Sequence, residues 1–394
     1  MRFLTVRVLG LGLLLVSACA SSGSSQNIDG PAQNPTDNST IPGDPSTEPP
    51  HALGTIVLGE SHGTGNGDSN PVISASFVPD AKLVKLCTRT VGACELTEVP
   101  KCTTGSVQGC ATGEVCTFDD SCTAKCVQTC TKACGASETC VITGVPKAGQ
   151  SLTDADMTCT KKDRFDAGAI AFAGTTQAIT LFPPYGVTPN GNGAPFMAQT
   201  EIHVQATGGI TAGFEKFDEK YTSTTFLETN PPLSEISKSD VFGSGALTIG
   251  WLAGQDSVYV TATGTAGSAK CPADDKTGTF DLPRTVIDEV TSSSSSSSSG
   301  ATGNFSISVT RERREVRKDK KTFGTLSGGQ VIQPDGWVEL VTSSSESFSF
   351  QTCPANTTLC GELCVSTQGD AKNCGACGKV CPTSYYCSVG VCQP

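Results

Sequence analysis

Apolar and polar residues alternate in short runs through most of the chain. In "EIHVQATG", Ile202, Val204 and Ala206 fall on one side and Glu201, His203 and Gln205 on the other. "LTIGWLAG" groups Leu247, Ile249 and Trp251, "SVYVTATG" groups Val258, Val260 and Ala262, and "SFSF" groups Phe348 and Phe350. A period of two suits a pleated strand with one buried face. Turn residues punctuate the runs, so the pattern predicts half-buried antiparallel strands. "GTIVLGE" and "PVISASFVP" read as opening strands of the same domain. Helical periodicity is scarce; "RTVIDEV", residues 284–290, suits one or two turns. The expected fold class is mainly β: an antiparallel β-sandwich-like domain over 53–352, with a Cys-rich insertion at 87–160 and a Ser-rich loop at 291–303. An independent second domain is the other reading of 87–160.

The start of the chain departs from this pattern. "MRFLTVRVLGLGLLLVSACASS" sets Arg2 and Arg7 ahead of an apolar run, Val8 to Val16, that stops at small residues and a cysteine. The run is shorter than the roughly 20 residues a spanning helix needs, and it suits a secretory signal. Val16-Ser17-Ala18-Cys19 resembles the lipobox of bacterial lipoproteins. That resemblance implies a signal peptide over 1–18, cleavage before Cys19 and a lipid on its sulfur. Ala20 then favours the outer membrane over the inner one, with ordinary secretion as the alternative. Residues 19–52 are Ser-, Asn-, Asp- and Pro-rich, too polar to offset the entropy of ordering, and read as a disordered tether.

Cysteine spacing carries the most specific information. With Cys19 set aside, 20 of the 21 cysteines remain. Cys87, Cys94, Cys102, Cys110, Cys116, Cys122, Cys126, Cys130, Cys134, Cys140 and Cys159 form one cluster, and Cys271 stands alone. Cys353, Cys360, Cys364, Cys374, Cys377, Cys381, Cys387 and Cys392 form the second cluster. The even total lets every sulfur pair, and export supplies the oxidising surroundings that pairing needs. His51, His62 and His203 lie outside both clusters, so a mixed Cys/His zinc site has no nearby partner. Cys122, Cys126, Cys130 and Cys134 recur at every fourth residue, a spacing that could line one helix face with thiols for a soft metal. A short helical or coiled turn stapled to neighbouring strands is the favoured reading. The repeat C-x5-C, as in "CATGEVC", "CGASETC" and "CPTSYYC", suggests small EGF-like or knottin-like knuckles.

The C-terminal run "CPANTTLCGELCVSTQGDAKNCGACGKVCPTSYYCSVGVC" contains D-x2-N-C-G-x-C-G followed by C-x5-C-x4-C. The positions are Asp370, Asn373, Cys374, Gly375, Cys377, Gly378, Cys381, Cys387 and Cys392. This segment, 353–394, resembles the Stig1-type cysteine-rich module of plant stigma proteins and of lipoproteins from myxobacteria-like bacteria. With the leader, the resemblance implies a cysteine-rich outer-membrane lipoprotein. Asp370 and Asn373 suit Asx turns, and Gly375 and Gly378 allow backbone that other residues avoid. So short a segment with so few large apolar side chains needs covalent staples.

Candidate chemistry is thin. The chain has no G-x-S-x-G, no H-E-x-x-H and no phosphate loop. His62 lies in the Gly/Asn/Asp-rich "GESHGTGNGDSN", and His203 falls on the polar side of its run. Asp274 and Asp275 in "CPADDKTG" could offer calcium oxygens but lack the spaced series of an EF-hand, so a plain turn is favoured. Trp251 groups with the apolar face and reads as core. The run "RERREVRKDKK" carries Arg311, Arg313, Arg314, Arg317, Lys318, Lys320 and Lys321 in a chain of formal net charge −11. A basic stripe on an acidic protein would attract an anionic ligand such as lipopolysaccharide or acidic polysaccharide. The competing reading is a charged edge strand that resists strand-to-strand aggregation.

"LTIGWLAGQDSVYV", "CPADDKTGTFDLP" and "GWVELVTSSSE" together resemble a β-domain of similar bacterial lipoproteins, and that resemblance implies no function. The expectation is a surface-anchored lipoprotein with a structural or interaction role in the envelope. Its partners would be the membrane, through the lipid, and envelope, matrix or cell-surface proteins and glycans. No catalysis, metal, cofactor or nucleic acid is expected. Extracellular glycan or peptide binding is the second reading, and a hydrolase with a dispersed site the third.

Overall fold

The computed structural model describes residues 52–394 apart from 63–68, 80–86, 105–106, 136–137, 144–152, 186–192, 292–303, 327–331, 333–335, 354–355 and positions 112, 120, 162, 352 and 362. The leader, Cys19, the tether with His51, and the serine run therefore lie outside the described residues.

The alternating runs form strands. In chain order the main ones are β1 (Ala52–His62), β2 (Ser69–Phe77), β3 (Thr88–Val91), β4 (Cys94–Glu98), β5 (Ile170–Ala173) and β6 (Ile179–Leu181). They continue with β7 (Glu201–Ala206), β8 (Phe217–Thr222), β9 (Ser257–Thr263), β10 (Gly267–Asp274), β11 (Asn304–Arg317) and β12 (Trp337–Gln351). Eight strands make one sheet in the order β2-β1-β12-β11-β9-β10-β4-β3, and four make a second, β6-β5-β7-β8. The chain is mainly β, and the described strands pair antiparallel except that β1 runs parallel to β12, Ile56 opposite Leu340.

Two apolar clusters hold these layers. In the first, Ile56 and Leu58 of β1 and Val338 and Leu340 of β12 pack against Ile170, Phe172, Ile202 and Val204 of the four-stranded sheet. This half is a two-sheet sandwich. In the second, Val258, Val260 and Ala262 of β9 and Phe305, Ile307 and Val309 of β11 face Val286, Ile287 and Val290. Those three lie on the helix Arg284–Thr291, where positions three and four apart share the buried face. The hairpin of Leu247–Gly250 with Thr279–Leu282 completes that cover and brings Leu247 and Ile249 into the cluster.

The Cys-rich segment divides differently from expectation. β3 and β4 belong to the large sheet, because β4 pairs with β10 (Glu95 opposite Lys270) and Cys94 is bonded to Cys271. Cys87, by contrast, is bonded to Cys122 of the stapled segment that follows Glu98. Within it, Glu114–Phe118 pairs with Ala124–Gln128 and Glu138–Ile142 with Met157–Lys161. Cys126 sits in an extended strand, and Cys122, Cys130 and Cys134 lie outside any helix. The fourth-residue spacing is therefore not a helical face.

Candidate functional site

The polar middle of the large sheet positions the candidate site. Alternate residues of β11 read Phe305, Ile307, Val309, Arg311, Arg313, and pair with Phe350, Phe348, Glu346, Ser344 and Thr342 of β12. β1 adds Glu60 opposite Ser344. A face that is apolar at both ends is thus polar across its centre. The reason is the segment 223–233, which crosses this face with little regular structure. Ser223, Thr224, Leu227 and Leu233 are fully buried. Backbone buried without a ladder must find other partners.

The sheet supplies them. Thr224 N donates to Thr342 Oγ1 at 2.9 Å, Leu227 N to Ser344 Oγ at 2.8 Å, and Leu233 N to Glu346 Oε1 at 2.8 Å. Glu346 Oε2 accepts from Thr229 Oγ1 at 2.6 Å. Arg311 Nη1 donates to the Phe226 carbonyl at 2.7 Å and to Thr225 Oγ1 at 3.1 Å.

Arg311 is the hub. Its side chain and that of Asp275 are each 1 % exposed. Nε and Nη2 donate to Asp275 Oδ2 and Oδ1 at 2.9 and 2.7 Å, and Nη2 reaches the Leu252 carbonyl at 2.5 Å. The planar fork meets its carboxylate bidentately, the geometry that makes such pairs strong. Asp275 also accepts from Trp251 Nε1 at 3.1 Å and from Asp256 N at 3.0 Å. Gly254 must be glycine, since a Cβ there would lie 2.3 Å from Asp275 Oδ2. The three stretches holding Trp251, Asp275 and Ser344 thus converge on one arginine. Asp275 does open a turn, 275–278, but its side chain is buried within this hub.

Beside this hub opens a cavity of ≈ 240 Å³ whose walls include Gln199, Phe226, Leu252, Gln255, Asp256 and Arg313. Arg313 donates through Nε to Asp256 Oδ1 at 2.8 Å, and Asp256 Oδ2 accepts from Thr224 Oγ1 at 2.7 Å. Phe226 stacks on Phe196, ring centroids 5.5 Å apart. Gln199 is held in the left-handed backbone region, φ +54°.

Three further cations of the basic run are paired with carboxylates. Arg314 pairs with Glu312 and Glu339, Arg317 with Glu219 and Glu315, and Lys320 with Glu219 and Asp319. Burial disfavours the Arg314 charge, but Glu312 and Glu339 together hold it above the ordinary arginine value. Lys318 lies 5.2 Å from the Trp337 ring centroid, a cation–π distance. Lys321 is exposed, and its carbonyl accepts from Glu215 N. Arg311 lies inside the sheet between β12 and β9, whereas Arg313, Arg314 and Arg317 extend beyond the β9 pairing and have β12 on one side only.

The histidines are placed apart. His62 Nε2 lies 3.1 Å from buried Glu60, without the angle for a hydrogen bond. His203 pairs with Asp218 across β7 and β8.

All twenty cysteines from Cys87 to Cys392 are paired. The bonds are Cys87–Cys122, Cys94–Cys271, Cys102–Cys116, Cys110–Cys126, Cys130–Cys140 and Cys134–Cys159, then Cys353–Cys364, Cys360–Cys377, Cys374–Cys387 and Cys381–Cys392. In the C-terminal segment the sulfurs are the core: Cys374, Cys381 and Cys387 are its buried cluster. Around them the motif residues interlock. Asp370 Oδ2 accepts from Asn373 Nδ2 at 2.7 Å and Asn373 Oδ1 from Gly378 N at 2.8 Å. Gly375, at φ +77°, would put a Cβ 2.5 Å from the Gly390 carbonyl. Two groups of sulfurs lie close enough together to suggest a metal centre, Cys102/Cys110/Cys126 and Cys374/Cys381/Cys392, but each sulfur is in a disulfide.

Comparison with known proteins agrees with this segment alone. Residues 338–394 match the family model described as the stigma-specific STIG1-like protein family. The match begins in β12 and runs through the stapled segment. No curated protein and no solved structure matches the chain.

Proposed function

We propose that the chain is an exported lipoprotein, anchored through Cys19 at the outer membrane or cell surface, with a structural or interaction role in the envelope. The observation that carries this reading is the pairing of every cysteine from Cys87 onward into ten disulfides. Disulfides in such number persist in oxidising compartments and not in a reducing cytosol. The C-terminal segment also leaves Leu363, Val380, Tyr386, Val389 and Val391 exposed, which suits a surface that meets partners more than a solitary one. The leader and lipobox supply the export route, and several acyl chains, each CH₂ worth about 0.8 kcal/mol, suffice for a lasting anchor.

Labelled palmitate and fractionation test this. The wild type is expected to take up label and sediment with outer membranes, and Cys19→Ala to lose the label and become soluble. A chain recovered in the cytoplasm with reactive thiols would remove the proposal. The second reading, ligand binding outside the cell, is favoured by the cavity beside Arg313.

A further inference from the structure

The cavity differs from the rest of the basic run in holding a guanidinium end that no carboxylate claims. Arg311, on its floor, spends its donors on Asp275, Thr225 and the Phe226 and Leu252 carbonyls. Arg313 engages Nε with Asp256, and among the described contacts its Nη1 and Nη2 have no partner. The Arg313 side chain is 26 % exposed and that of Asp256 7 %. Asp256 is tied by Thr224 Oγ1 and by its own N–H to Asp275, so the arginine is held before any ligand arrives. A fork fixed in advance loses little entropy on binding. Its free end suits two parallel bonds to a carboxylate.

The surroundings narrow the ligand. Asp256 and Asp275, the two carboxylates nearest the cavity, are each paired with an arginine, so neither stands as an unpaired negative charge against an incoming anion. Gln199 and Gln255 line the opening, and a primary amide both donates and accepts, as a hydroxyl partner requires. Leu252, 64 % exposed, and Phe226 supply an apolar wall for C–H groups. The volume, ≈ 240 Å³, lies below the roughly 300–1,000 Å³ of drug-sized pockets, which limits the occupant to one ring. We infer that this cavity binds a single carboxylated sugar, a hexuronate unit of an extracellular polysaccharide. The inference rests on the proposal that the chain works outside the cell.

Calorimetry on the soluble, oxidised chain from residue 20 onward, with sodium glucuronate as probe, tests the site separately from anchoring. Glucuronate is expected to bind and glucose to show no heat. Arg313→Gln should weaken binding about tenfold, the scale of a lost charge-assisted hydrogen bond. Gln255→Ala, which leaves the Arg313–Asp256 pair intact, should weaken it less, with an unchanged circular dichroism spectrum guarding against misfolding. Absence of glucuronate binding, or equal binding by both variants, overturns the inference. So does N-acetylglycine binding as well as glucuronate, which would show a general carboxylate site. A failure of either kind leaves the Cys19→Ala fractionation result untouched, so the two proposals fail separately.

Discussion

Arg311 illustrates what one residue can decide. It belongs to a run of cations, yet its parity is that of Val309, Ile307 and Phe305, two, four and six positions earlier on the same face. Read strictly, the alternation already pointed it inward. What the local sequence could not offer was its partner, since Asp275 lies 36 residues away. Arg311→Met should therefore leave Asp275 buried and unpaired, at a cost of about 3–5 kcal/mol. Denaturant unfolding measures it, and adding Asp275→Asn to the same chain should recover part of the loss. If Arg311→Met unfolds at the wild-type midpoint, the pair contributes nothing to stability. Asp275 sits in a turn, as its neighbours in sequence imply, but its side chain, like that of Arg311, is used by neighbours in space.

Elements show where local chemistry was enough. In the C-terminal segment Asp370, Asn373 and Gly378 could be named as turn residues because their contacts lie within a few positions of each other. Asn373 and the Lys372 N–H hold the Asp370 carboxyl below the ordinary aspartate value. A depressed folded value means that the contribution is fully present above the unfolded value of about 3.9 and is lost as pH falls through the lowered one. Carboxyl NMR should show Asp370 titrating below a model aspartate, and Asn373→Ala should move it upward. Titration at the ordinary value would contradict the geometry. The segment 223–233 is the opposite case. It carries no period, and nothing near it announces that Thr342, Ser344 and Glu346 are its hydrogen-bonding partners more than a hundred residues on.

At the scale of the whole molecule, covalent links differ in reach. Cys94–Cys271 spans 177 residues and is buried in the second apolar cluster, whereas Cys102–Cys116 spans 14. Loop entropy alone assigns the two about 5 and about 3 kcal/mol. Unfolding of Cys94→Ala/Cys271→Ala against Cys102→Ala/Cys116→Ala should show the larger loss for the first pair. Equal losses would mean that the β4–β10 ladder holds without its staple. By itself the sequence determined the mainly β class, the faces of the longer strands and the Asx and glycine geometry of the C-terminal segment. Each of these follows from side-chain period or from contacts a few residues apart. Tertiary structure alone decided which cysteines are bonded, that β1 joins β12 in parallel, and that Arg311, Arg313 and Arg317 of the basic run meet carboxylates from distant segments. It also made the cavity beside Arg313, from residues between 199 and 313. Pairing at such separations depends on which surfaces the chain buries together, and no local pattern records that.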